Sequence, residues 1–267
     1  MCDLEQPGRE RVYLLGLDPH SEVFPAENAF GKVVEYVVLN LQPHSSSCPV
    51  VTHVELIVPT ECRLDSCHFA SYLGAQAGWQ RNRASNENYY LPLARAGKLR
   101  AVPIFGSDAV NRVRRACAQV DTAPYSLRRY VTSTAPFFWL ARLLPAEPTS
   151  PGHCATIAAR VIRMAFGPLS RCDACYSPAS LHAEVCDMAA QHAPRLESMR
   201  ADTAAADAAT RLRRGSEAEI ETMPEADREA GLAYMSNLVA LHCVGGASVE
   251  RHSAELALGR ALAFSYR

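Results

Sequence analysis

A cysteine and a histidine about a hundred residues apart carry the chemistry that the sequence suggests most strongly. Cys154 follows Ser150 and Pro151 at the start of an apolar, helix-like run, and His53 lies in a run of β-like residues. A helix start favours a thiolate because its first N–H groups are unsatisfied and the helix dipole is positive there. A thiolate beside an imidazole is the nucleophile–base pair of acyl transfer. We therefore take Cys154 as the candidate nucleophile and His53 as the candidate base.

The imidazole of such a pair needs a third polar group to orient its ring. Glu55 lies two residues after His53 and shares its strand face, and His68 lies on the next predicted strand. Both remain candidates for the orienting residue. The competing interpretation is that Cys154 is a small buried hydrophobe and His53 an ordinary core residue, since two distant residues form no local signature.

Short extended segments and one clear helix are expected to position these residues. The apolar run 50–59 predicts the buried strand that bears His53, and an amphipathic spacing predicts a helix over 30–41. The helix over 150–167 is capped by Ser150, and Gly167 terminates it. Further elements are predicted as a strand over 12–17, an antiparallel meander with pieces at 68–73, 78–80, 89–93 and 99–105, and a helix over 108–120.

The chain becomes helical and alanine-rich after residue 178. Residues 200–215 are polar and predict an exposed helix or a linker, and two closing helices are predicted at about 225–244 and 248–265. The predicted division is a core domain over 1–177 and a helical C-terminal extension over 178–267.

The order of these elements resembles that of circularly permuted papain-like cysteine hydrolases, the NlpC-type branch that includes lecithin:retinol acyltransferase-like enzymes. The matching residues are His53 in Thr-His-Val-Glu-Leu-Ile-Val and Cys154 in Pro-Gly-His-Cys-Ala-Thr. Tyr125 in Ala-Pro-Tyr-Ser-Leu resembles a tyrosine that lines the site in such enzymes, and a polar residue on the following strand, often a histidine, suggests His68. The resemblance covers about residues 45–170.

The resemblance implies an α+β fold, in which an antiparallel meander packs on the helix that bears Cys154. It implies a thiol-dependent hydrolase or acyltransferase acting on peptide, isopeptide or lipid ester or amide bonds, with Tyr125 and His153 contacting the substrate. Divergent members of this family lose activity and persist as structural proteins, and some large DNA viruses carry such proteins. The alternative is therefore a silent structural or interaction protein, a virion or assembly component that oligomerises through its helical C-terminus. An open groove around a close Cys–His pair favours the enzyme, and a buried or separated pair favours the alternative.

A second group of residues is typical of metal binding. Cys172 and Cys175 form a C-x-x-C pair, and His182 and Cys186, four residues apart, share one helical face. Together they are a weak candidate for structural zinc, because the gap between the halves is short and Pro178 lies in it. The competing prediction is that they are free thiols around a loop and that the protein needs no cofactor.

Charge and composition exclude several classes of protein. The 267 residues carry 27 Lys+Arg against 28 Asp+Glu, a net charge of -1, which offers no field for binding a phosphate backbone. No apolar run approaches the ~20 residues of a membrane span, and no secretory signal is visible. We therefore expect no nucleic-acid partner and a cytoplasmic location, or the host cytoplasm or virion for a viral protein. The 10 cysteines are irregularly spaced and predict thiols rather than a disulfide scaffold.

Overall fold

The structure is a computed structural model that describes residues 10–17, 51–59, 64–69, 79–81, 86–120, 152–244 and 248–266. The fold is α+β, as predicted. The strands are β1 (Glu10–Leu17), β2 (His53–Pro59), β3 (Leu64–Phe69), β4 (Trp79–Arg81) and β5 (Leu99–Gly106). The helices are α1 (Asn86–Arg95), α2 (Ala109–Gln119), α3 (Cys154–Phe166), α4 (Pro178–Ala190), α5 (Leu196–Arg200), α6 (Thr203–Arg214), α7 (Glu217–Glu221), α8 (Glu225–Val244) and α9 (Ser248–Ser265), with a short 3-10 turn at Asp173–Cys175.

The five strands form one sheet in the order β4-β3-β2-β1-β5, and every neighbouring pair is antiparallel. Of the predicted meander, the pieces near β3 and β4 are adjacent antiparallel strands, although β3 covers Leu64–Phe69 and not 68–73. The strand predicted at 99–105 is observed as β5, but its place in the meander is wrong, because it lies at the opposite edge of the sheet beside β1. β1, which lies outside the resemblance, is inserted between β2 and β5, and its Leu17 pairs with His53 on one side and Leu99 on the other. From Val12 onward β1 is buried, because it has a strand partner on each side and the helices α2 and α4 pack against it.

The extended piece predicted at 89–93 is wrong, because these residues belong to α1. The buried residues of α1 are Tyr90, Leu91, Leu93 and Ala94, a spacing that fits one helical face and not the alternation of a strand. Gly97 ends the helix with a positive φ of 65°, which glycine adopts without strain. The aromatic and apolar residues of this segment resemble a strand only by composition.

The C-terminal helices pack onto the sheet. α4, α8 and α9 all contact β5, and one apolar core includes Leu99, Val185, Val239 and Leu262. The closing helices predicted at 225–244 and 248–265 are confirmed, and 200–215 is largely the helix α6. The apolar core is continuous across residue 178, and the proposed domain division there stays a prediction. The helix predicted over 30–41 lies outside the described residues.

None of the described helices is both long enough and apolar enough to cross a bilayer.

Candidate functional site

Cys154 is the first residue of α3, and α3 packs against β2. The helix therefore begins three residues later than a cap at Ser150 predicts, with His153 in the N-cap position. The first intrahelical bond runs from the N–H of Ile157 to the carbonyl of His153. The preceding N–H groups of the first turn have no acceptor within the helix, so the sulfur of Cys154 sits where a negative charge is favoured.

Two histidines set the ionisation of Cys154. Burial raises the pKa of its thiol, but the positive charge of His53 and hydrogen bonds from His153 and His53 outweigh that effect and lower the pKa to about 5. A thiol in this environment is a thiolate at neutral pH. The structure therefore brings together Cys154 and His53, the pair predicted from sequence.

Glu55 orients the histidine. It lies two residues after His53 on β2, so both side chains point to the same face of the sheet, and Nε2 of His53 lies 3.3 Å from Oε1 of Glu55. The predicted grouping of His53 with Glu55 is thus observed. His68 lies on β3, directly after Cys67, which pairs with Leu56 of β2. Its side chain is outside the described residues, and a role for it stays a prediction.

Tyr90 is a site residue that sequence reasoning missed. Its hydroxyl donates a hydrogen bond to Oε2 of Glu55, the oxygen that does not face His53. Both carboxylate oxygens therefore have a partner, which fixes the rotamer of Glu55 in a buried position. The signal that identifies Tyr90 is the helical spacing of the apolar residues around it, whereas the composition of this segment predicts a strand.

Of the two residues predicted to contact the substrate, the structure describes one. His153 is completely buried and lies against the sulfur of Cys154, so its first effect is on the thiolate rather than on a substrate group. Tyr125 lies outside the described residues, and so does the oxyanion donor expected near it.

The site is deeply enclosed. Cys154 is 1% exposed, His53 6%, Glu55 2% and Tyr90 1%. A cavity of about 680 Å³ elsewhere is lined by other residues, among them Tyr13, Glu229 and Tyr266. Cys154 and His53 are thus adjacent, as expected for an enzyme, but both are buried, as expected for a silent interaction protein. A substrate can reach the sulfur of Cys154 only if part of the structure that covers it moves.

The four residues of the predicted zinc site do not form one cluster. Cys172 and Cys175 are exposed and joined to each other by a disulfide, whereas His182 and Cys186 are fully buried on α4. Among the residues that the structure describes, the group with metal-ligating geometry is His182, Cys186 and Glu255. The expectation of free thiols is also wrong for Cys172, Cys175 and Cys117, which are disulfide-bonded.

Comparison of the chain with protein-family models, curated proteins and solved structures finds no match. The resemblance to permuted papain-like enzymes therefore rests on the residues and their order, and it stays a prediction.

Proposed function

We propose that this protein is a thiol-dependent hydrolase or acyltransferase with Cys154 as its nucleophile. One observation carries the proposal: the thiol at the start of α3 has a pKa of about 5 and contacts an imidazole that a buried carboxylate holds in place. A cysteine that only fills the core needs no such partners, because an uncharged thiol is the cheaper buried form. Perturbed thiols with specific charged partners are characteristic of functional sites.

The proposed reaction is acyl transfer. The thiolate of Cys154 attacks a substrate carbonyl, and the N–H groups at the start of α3 stabilise the oxyanion that forms. His53 then gives its proton to the departing amine or alkoxide, which leaves a thioester on Cys154. We assign this proton to Nδ1, because Nε2 faces Glu55. Water or a second acceptor, deprotonated by His53, attacks the thioester and restores the thiolate.

Labelling with a small chloroacetamide probe and peptide mapping test this proposal. We expect the label on Cys154 in the wild-type chain, its loss in Cys154→Ala, and a rate reduced by about 100-fold or more in His53→Ala. His192→Ala, which removes an exposed histidine, is the matched control and keeps the wild-type rate. Labelling of His53→Ala at the wild-type rate, with the chain still folded, contradicts the proposal.

Two observations favour the alternative, a silent interaction protein. The reactive sulfur is enclosed, and Val244 and Val249, at the facing ends of α8 and α9, are 61% and 79% exposed. Exposed valines are also common on monomeric proteins, so the two valines mark the place where a contact surface is tested. If the alternative is correct, the wild-type chain sediments as an oligomer, and the double variant Val244→Glu, Val249→Glu sediments as a monomer. The chloroacetamide probe then leaves Cys154 unlabelled. Labelling of Cys154 in a monomeric chain rejects it.

A further inference from the structure

A second cluster of reactive side chains lies among the C-terminal helices, apart from the thiol site. His182 and Cys186, one helical turn apart on α4, face Glu255 of α9, and all three are at most 2% exposed. The sulfur of Cys186 lies 3.8 Å from Nδ1 of His182 and 3.7 Å from Oε1 of Glu255. The metal-ligating atoms of the three residues all lie within 4.8 Å of one another.

Cys243 adds a fourth group. It lies near the end of α8, is half-buried, and its thiol neighbours that of Cys186. Both cysteines are free thiols. The ligand atoms of His182, Cys186 and Glu255 thus lie together, and Cys243 brings a second sulfur to the edge of the cluster. Two sulfurs, one imidazole and one carboxylate are a donor set that suits zinc and not magnesium or calcium.

The distances match a tetrahedral metal site. Zn–S bonds of ~2.3 Å and Zn–N or Zn–O bonds of ~2.0–2.1 Å, set at tetrahedral angles, place two ligand atoms about 3.6 Å apart. The observed separations around the sulfur of Cys186 are 3.8 Å and 3.7 Å. The two separations at Cys186 therefore fit a tetrahedral ion, and the ligand atoms of His182, Cys186 and Glu255 all lie within 4.8 Å of one another.

The charges of the neighbouring side chains are compatible with a bound zinc cation. Arg100 and Arg251 each approach Glu255 at 3.5 Å, and Nε2 of His182 lies 3.4 Å from Oε2 of Glu255. With the neutral imidazole that metal binding requires and two neutral thiols, the buried cluster already carries a positive excess. A zinc ion that replaces the two thiol protons adds two charges and removes two, and the displaced protons leave to solvent. The buried net charge is unchanged, and the two arginines remain to orient Glu255.

We propose that His182, Cys186, Cys243 and Glu255 bind a structural zinc ion that ties α4, α8 and α9 together. All four coordination positions are filled by protein groups, which is characteristic of a structural and not a catalytic zinc. The site shares no residue with the Cys154 site, so it stands or falls independently of the proposed enzymatic function.

Metal analysis of the full chain tests this site. The chain is reconstituted with zinc, exchanged into metal-free buffer and analysed by plasma mass spectrometry, and we expect about one zinc per chain. Cys186→Ser and Cys243→Ser should each lose most of the bound metal, while Cys154→Ser, the matched cysteine control, retains it. Zinc should also raise the unfolding temperature of the wild-type chain and not that of Cys243→Ser.

Three results would overturn the assignment. A folded wild-type chain that binds no zinc at stoichiometry excludes the site. Zinc that is lost in Cys172→Ser but kept in Cys186→Ser places the metal at the surface C-x-x-C pair instead. A disulfide between Cys186 and Cys243, found by peptide mapping of the purified chain without reductant, assigns the two thiols to each other rather than to a metal.

Discussion

The Nε2 atom of His53 lies 3.3 Å from Oε1 of Glu55, two residues further along the same strand. Because side chains two apart in a strand share a face, the base and its orienting group are positioned by a single rigid element. α3 has only to bring the sulfur of Cys154 to that face. The geometry of the pair therefore depends on one packing contact, between α3 and β2.

The charge of Glu55 is expected to matter more than its shape. Glu55→Gln keeps an oxygen that can accept the hydrogen bond of Tyr90 but removes the negative charge beside His53. The imidazolium is then less favourable and the pKa of Cys154 rises, so the midpoint of the alkylation rate against pH should move above 5 by about one pH unit, while the rate at pH 7 changes little. Glu184→Gln, at an exposed pair with Ser170, is the control. An unchanged midpoint in Glu55→Gln would exclude Glu55 as the orienting residue.

Tyr90→Phe is expected to weaken the fold and the site together. It leaves Oε2 of a buried carboxylate without its donor, which costs about 1–3 kcal/mol of unfolding free energy. As a positioning residue, Tyr90 should also shift the pH profile of Cys154 alkylation, which a purely structural role would leave in place. Tyr234→Phe on α8, where the side chain is half-buried, provides the comparison in both urea unfolding and alkylation.

Alkylation of Cys154 should depend little on pH in the neutral range. Its pKa of about 5 means that the thiolate is formed as the pH rises through 5. Between pH 7 and pH 8 the rate should change by less than ~2-fold, whereas a thiol with the ordinary pKa of 9.0 gains ~9-fold. A rate for Cys154 that climbs in parallel with that of free cysteine would show that the thiol is not ionised in the folded chain.

The same lowered pKa makes stability depend on pH. The folded-state pKa of Cys154 lies below the ordinary value of 9.0, so the thiolate stabilises the fold fully above pH 9 and this contribution is lost as the pH falls through about 5. Urea unfolding of the wild-type chain and of Cys154→Ser between pH 5 and pH 9 measures it. The gap in unfolding free energy should widen as the pH rises, and a constant gap would contradict the assignment.

Close packing of α9 on β5 makes Gly259 intolerant of a side chain. A Cβ there would overlap the carbonyl oxygen of Leu99 and lie 2.8 Å from its carbon, and backbone atoms cannot rotate away. Gly259→Ala should therefore destabilise the fold by about 1–3 kcal/mol, despite the better helix propensity of alanine. Ser253→Ala, at an exposed position of the same helix, should leave the thermal midpoint almost unchanged.

The features that depend on residues close together in the chain could be predicted from the sequence. The alternation around His53 placed Glu55 beside it, and the alanine-rich, helical character of the C-terminal segment predicted α8 and α9. α1 was missed because its aromatic residues favour a strand by composition, while tertiary contacts bury one helical face. The start of α3 was predicted three residues too early, because His153 and not Ser150 occupies the N-cap.

Long-range contacts account for the rest. His182 and Cys186 were predicted to share a helical face, and they do, but their partner Glu255 is 69 residues beyond Cys186. No spacing rule connects residues so far apart in the sequence. The zinc site predicted from the sequence therefore includes the nearby C-x-x-C pair and not Glu255. The link between Tyr90 and Glu55, 35 residues apart, was invisible for the same reason.

Because β1 lies between two other strands, it can complete its pairing only late in the synthesis of the chain. Residues 10–17 leave the ribosome before β2 and β5, their two neighbours in the sheet, and Glu10 meets its counterpart only when Gly106 has emerged. β1 therefore has at most one of its two strand partners while roughly ninety further residues are synthesised, a period in which chaperones or self-association compete for its open edge. Yield on expression should consequently respond more to charge placed in β1 than to charge placed in α6.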